Sequence, residues 1–172
     1  CCQSCSGHSS HNDATHGSAV RRARSCLLWK ASFSPHSAAV PDELQELPVT
    51  LDALAKQQTN TPFEVYVCVN QPDEYWADVD KKIICAHNQQ LLEFLHNYHF
   101  LTLHILDYAS PGKGWTWKKC GVGFARKVLF SNILSVSEPD DLIVSLDADT
   151  YARHGYLDSV ARLFEQNKQI NA

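Results

Sequence analysis

The amino-acid sequence predicts an α/β fold, with a mostly parallel sheet covered by helices on both faces. Three observations predict it. Residues 63–69 and 141–146 are short, nearly continuous apolar runs rich in β-branched side chains, the composition of strands buried on both faces. Other stretches carry apolar residues at the three- and four-residue spacing of amphipathic helices. The two kinds of segment alternate, which is the order that builds parallel sheets through helical crossovers.

The elements follow in sequence. Residues 1–40 are rich in Ser, His, Cys, Ala and Arg, without sustained periodicity, and are expected to form a poorly ordered tail. Residues 26–33 offer only a weak strand. Order is expected over residues 41–172. Leu44, Leu47, Leu51 and Leu54 form one helical stripe, Asp42 and Gln45 suit its start, and Pro48 places the opening of the regular helix near itself. The helix ends before Asn60, Thr61 and Pro62. Strand 63–69 follows and stops at turn residues 70–73. A helix over about 87–98 carries Leu91, Leu92, Phe94 and Leu95. A strand over 100–106, a flexible loop at Pro111, Gly112, Lys113 and Gly114, and a helix over 118–134 with Val122, Ala125, Leu129 and Ile133 on one side come next. Strand 141–146 and a last helix over about 155–167 complete the pattern. The expected order is a helix, then strand and helix three times.

Composition narrows the function. Of 172 residues, 44% are apolar and 20% charged, enough to bury a core without disulfide staples. A formal net charge of -4 gives no whole-molecule attraction for nucleic acid. No apolar run approaches the roughly 18 residues that cross a bilayer, so no membrane span is expected in this chain, and no signal-peptide core is seen. Seven Cys without disulfide-framework spacing suit a reducing setting, the cytoplasm or the inner face of the membrane. The chain begins at Cys1 and contains no Met, which is the expectation for a fragment.

The sharpest chemical signal is Asp147-Ala148-Asp149-Thr150, directly after the apolar run 142–146. In α/β sheets ligands bind beyond the carboxyl ends of the strands. Two carboxylates placed there repel one another unless a cation lies between them. Hard oxygen ligands suit Mg²⁺ or Mn²⁺, which also bridge phosphates. The structural alternative is a polar turn in which Asp149 caps the next helix. Turn residues Asn70 and Asp73 end another strand and are expected at the same edge. Lys113, between two glycines, is a candidate cation for phosphate.

Residues 141–150, followed by Tyr156, Leu157, Leu163 and Phe164, resemble the metal-binding segment of family 2 glycosyltransferases. The segment 121–127, with Gly121, Ala125 and Arg126, is similar to a helix of that family. Residues 62–70 resemble its second strand, and Asp42, Glu43, Leu47, Pro48, Thr50 and Leu51 resemble the segment after its first. The likeness covers about residues 42–167. It implies an incomplete GT-A (Rossmann-like) domain, the nucleotide-sugar-binding half of an enzyme. The implied activity is metal-dependent, inverting transfer of a sugar from a nucleotide-diphosphate donor to the hydroxyl of a glycan, lipid or small-molecule acceptor. By matching position, Asp149 ligates Mn²⁺ or Mg²⁺, Asp147 contacts the metal or the ribose, and Arg126 lies near the donor phosphates. Asn70 stands where many members carry an Asp that reads the nucleoside. The sequence departs from the family in lacking a clear first strand before Asp42, and it ends before the part that carries the catalytic base, so no base is assigned; Glu165 is expected to face solvent.

Other readings stay open. The chain as given is also readable as an inactive fragment or a non-catalytic binding protein. A phosphatase of the haloacid dehalogenase type also carries Asp-x-Asp after a strand, but early in its chain and with Thr or Val where Tyr151 stands here. Cys1, Cys2, Cys5, His8, His11 and His16 are zinc-binding residue types at a spacing that fits no four-ligand pattern. Trp115 and Trp117 are suited either to stack on a sugar ring or to pack on the core.

Overall fold

The computed structural model of the chain describes residues 25–32, 43–119, 121–147 and 150–167. Four strands form one sheet, β1 (Ser25–Ser32), β2 (Phe63–Asn70), β3 (Leu103–Tyr108) and β4 (Leu142–Asp147), in the order β3-β2-β1-β4. Every neighbouring pair is parallel. Four α-helices alternate with them: α1 (Glu43–Ala55), α2 (Lys82–Asn97), α3 (Val122–Leu134) and α4 (Tyr156–Gln166). The fold is therefore α/β with a parallel sheet, compatible with a Rossmann-like arrangement.

The expected tail contains the sheet's inner strand, which corrects the boundary drawn at residue 40. Ser25 pairs with Phe63 on one side and Leu142 on the other, and the pairing with β2 runs to Ser32 opposite Asn70. A strand held by two neighbours does not need a strong local pattern, because the ladder on each side supplies its backbone partners. The zinc-type residues of the head lie outside the described residues.

The helices divide between the faces as the strand order requires. Crossovers of one hand put α1 and α2, which step outward from β1 through β2 to β3, on one face; α3, which steps back across to β4, goes on the other. Leu47, Leu51, Leu54, Leu91, Leu92, Leu95 and Leu157 accordingly bury with Val65, Val67, Val69 and Leu146. Ala125, Leu129 and Ile133 of α3 bury with Tyr66 and Cys68, the alternate residues of β2. Alternation along one strand thus sorts two cores.

Three of the boundaries that shift from expectation do so for identifiable reasons. Pro48 lies inside α1 rather than at its opening. It removes one backbone bond to Leu44, a cost of about 3 kcal/mol in a helix interior. Burial of Leu47, Leu51 and Leu54 at 0% exposure outweighs it, at roughly 1.5–3 kcal/mol each. Helix α2 begins five residues earlier than expected, where Ile84 and Cys85 bury with Tyr75. Strand β3 runs to Tyr108 and omits Phe100, which is 79% exposed and packs edge-on against Tyr98. Among the described residues no helix is long and apolar enough to cross a membrane.

Candidate functional site

Ser32, Asn70, Tyr108 and Asp147 end the four parallel strands, so all four lie along one edge of the sheet. The strand order reverses beside β1: β2 and β3 are laid down on one side of it and β4 on the other. In α/β sheets the ligand crevice opens at that reversal. Asp147 stands at it, opposite Lys30 of β1. Strands β2 and β4 flank β1, with Asn70 level with Ser32 and Asp147 with Lys30, so the two lie roughly 12 Å apart. On β4, Leu146 is buried while its neighbour Ser145 is exposed, so the face that α3 shares is uncovered near this end of the strand.

The segment after β4 is fixed from the side. Thr50 of α1 donates to the Thr150 carbonyl at 3.2 Å, and Gln57 donates to the carbonyls of Ala152 and Arg153 at 3.3 and 2.8 Å. Thr59 reaches Asp158 of α4. Helix α1 and the residues just after it therefore clamp the chain on the far side of the acidic pair, while β4 holds its near side. Asp149 itself, the expected metal ligand, lies outside the described residues.

Asn70 is 2% exposed, and its Oδ1 has no hydrogen-bond partner among the described residues. Which of the two amide heavy atoms is oxygen is an assignment, but one polar atom is unmatched either way. A buried unmatched amide costs about 1–3 kcal/mol, and such a group at a strand end beside a ligand crevice suits a ligand contact. Gln71, next in sequence, is fully buried and well matched: its Oε1 accepts from Asn88 at 2.8 Å, and its Nε2 donates to the Cys85 sulfur at 3.3 Å. Burial pushes the Cys85 thiol pKa up. This amide chain ties α2 to the rim, and no local pattern announces it, because Cys85 and Asn88 lie 14 and 17 residues from Gln71.

The loop expected to be flexible is instead an ordered turn. Lys113 N–H donates to the Ser110 carbonyl at 2.9 Å, with Pro111 second and Gly112 third at φ 77°. Proline then positive-φ glycine is the type II pattern. Asp73 accepts from Gly112 N–H at 2.8 Å, and its own N–H donates to the Trp115 carbonyl at 2.9 Å. Trp115 N–H donates back to Gln71 at 3.1 Å. These bonds join the ends of β2 and β3 into one rim. Asp73, a candidate ligand contact, is thus committed on one carboxylate oxygen to the turn.

Lys113 is committed as well. Its Nζ lies 2.8 Å from Asp107 Oδ2, a residue the sequence reading did not single out. Asp107 Oδ1 accepts from Ala109 and Ser110 N–H at 3.1 and 2.9 Å. Burial alone would raise the Asp107 pKa; the Lys113 ammonium, the Ser110 hydroxyl and the two backbone donors outweigh it and lower the pKa to about 2. Arg126 is half-buried on α3, directly after Ala125, which is fully buried toward the sheet. Trp115 packs between Tyr108 and Phe124, at 4.6 and 4.7 Å, on the core side. Trp117 is 48% exposed beside Tyr75, and Glu165 is exposed on α4.

Among the residues whose side chains are described, no three His, Cys, Asp or Glu converge as a metal site. The Asp147 side chain and Asp149 fall outside that set. No protein-family model, curated protein or solved structure matches this chain.

Proposed function

We propose that the chain carries the donor-binding part of a metal-dependent glycosyltransferase of the GT-A type, which holds a nucleotide-diphosphate sugar at the β1/β4 end of the sheet. The observation that carries this reading is the position of Asp147, at the carboxyl end of β4, where the strand order reverses. Asp149, two residues on, is the metal ligand in this reading, and Asp147 holds the metal or the ribose. An aspartate pair together with pyrophosphate oxygens fits Mn²⁺ or Mg²⁺, since both take hard oxygen donors and keep open positions for phosphate.

A bound divalent ion supplies Lewis acidity that stabilises charge on the departing nucleoside diphosphate. The chain's own residues bind and orient. Asn70 Oδ1, unmatched among the described residues, accepts from a nucleoside hydroxyl or N–H. Arg126 offsets donor phosphate charge from α3, whose amino-terminal end also favours anions. Lys113 shapes the rim through Asp107 rather than touching phosphate. Asp73 fixes the turn beside the end of β2. The acceptor, a glycan, lipid or small molecule, approaches from the uncovered side.

A second reading is donor binding without transfer. The exposure of Glu165 favours it, because that side chain points to solvent and leaves the acceptor hydroxyl without an assigned base.

Calorimetric titration with UDP and with GDP, each with and without Mn²⁺, tests the donor site. Mn²⁺-dependent binding that disappears in Asp149→Ala supports it. Equal binding by the variant contradicts it, as does release of phosphate from a generic phosphoester.

A further inference from the structure

Thr50 is the polar member of a leucine face. On α1 it lies in the helical stripe of Leu47, Leu51 and Leu54, and it is only 3% exposed. A buried hydroxyl lowers stability unless it finds an acceptor. An acceptor comes from the chain beyond β4, the carbonyl of Thr150, 100 residues away.

Gln57, two residues past the end of α1, reaches the same stretch. Its Nε2 lies 2.8 Å from the Arg153 carbonyl and 3.3 Å from those of Ala152 and Ala53. Three carbonyls around one atom identify it as the amide nitrogen, since an oxygen there would face only acceptors. Its Oε1 is buried with no partner among the described residues. An amide with one end unmatched is a weak stabiliser. Its contacts are therefore better explained by where they hold the chain than by the energy they add. The stretch they hold is packed down, since Ala152 is itself 3% exposed. Thr150 is joined to Asp149 by a single peptide link.

We propose that Thr50 and Gln57 are positioning residues for the divalent cation. By fixing the carbonyls of Thr150, Ala152 and Arg153, they hold the acidic pair at the spacing a small cation needs, and so set the choice of cation. This inference rests on the donor-site reading. Mg²⁺ demands near-ideal octahedral oxygens at about 2.0–2.1 Å, whereas Ca²⁺ accepts irregular shells at about 2.3–2.6 Å. Losing a group that supports the ligands from behind typically lowers metal affinity by about 10–100-fold. Loosening this stretch therefore weakens Mg²⁺ more than Ca²⁺. A role in stability alone would weaken both cations alike.

Calorimetry measures Mg²⁺ and Ca²⁺ binding in the presence of UDP and of GDP, with urea unfolding on the same samples. Thr50→Val and Gln57→Met remove the donors, nearly keep the size and leave the charge unchanged. Each is expected to weaken Mg²⁺ by about tenfold and Ca²⁺ by no more than about twofold. Thr50→Ser, which keeps the hydroxyl, is expected to retain the Mg²⁺ preference of the unaltered chain. If Thr50→Val does not fold, Gln57→Met, beyond the helix end, carries the test. An unchanged ratio of Mg²⁺ to Ca²⁺ affinity in the folded variants overturns the proposal and leaves the donor site standing, provided Asp149→Ala still abolishes cation binding. Absence of cation-dependent nucleotide binding by the unaltered chain, or binding that Asp149→Ala leaves intact, overturns both.

Discussion

The Lys113 ammonium lies 2.8 Å from the Asp107 carboxylate, which also accepts two backbone N–H groups of the following turn. One side chain at the end of β3 thus organises the loop that borders the candidate site. The Asp107 pKa is lowered to about 2 from 3.8, so its contribution to stability is complete above the unfolded value and is lost as pH falls toward the folded one. Asp107 is 17% exposed but Lys113 is 60% exposed, so solvent reduces the effect to about 1–2 kcal/mol. Asp107→Asn is expected to lose that amount near neutral pH and to flatten the stability curve between pH 4 and about 2. Urea unfolding across this pH range checks it; an unchanged acid slope in the variant argues against the assignment.

Gly114 is where the rim is tightest. A Cβ there would sit 2.6 Å from Asp73 N and 2.7 Å from Asp73 Cα, both backbone atoms that cannot swing aside. Gly114→Ala is expected to cost about 1–3 kcal/mol and to part the β2 and β3 ends. Thermal unfolding measures the cost. Full stability with unaltered amide shifts at Asp73 and Trp115 would show that the two strand ends are not in contact.

Asn70 separates stability from binding. Its Oδ1 has no partner to lose among the described residues. Asn70→Ala is expected to change stability by no more than about 1 kcal/mol, while weakening Mn²⁺-dependent UDP or GDP binding by about tenfold. Denaturation and calorimetry on the same sample decide the matter. Intact binding would remove Asn70 from the donor site.

Pro48 lies inside α1, where it lacks the N–H that the helix would use. Pro48→Ala restores an N–H able to reach the Leu44 carbonyl, and a gain of about 1–3 kcal/mol is expected. A loss of stability would mean that the proline ring packs in a way its helical position conceals.

The parts of this molecule legible in its sequence are those with local signals. Residues 65–69 of the run 63–69 are buried on both faces, and Leu47, Leu51 and Leu54 form the stripe that their spacing predicts. Asp147 ends β4, the strand that the apolar run implied. What escaped depends on partners distant along the chain. Strand β1, with Lys30 in its middle and no alternation, is defined by ladders to residues 63–70 and 142–147. The turn at Pro111 and Gly112 carries its own signature, but its rigidity comes from Asp73, 39 residues earlier. Gln71 reads as an ordinary turn residue until Asn88 and Cys85 close around it.

The location of the cation is the claim on which the donor-site account stands. Paramagnetic broadening of backbone amide signals by Mn²⁺, in the presence of UDP or GDP, reads that location directly. The account predicts broadening centred on the ends of β1, β2 and β4, strongest around Asp147 and extending to Asn70, and absent in Asp149→Ala. Broadening centred instead on Glu64 and His104 at the other edge, or a pattern that Asp149→Ala leaves unchanged, would contradict it.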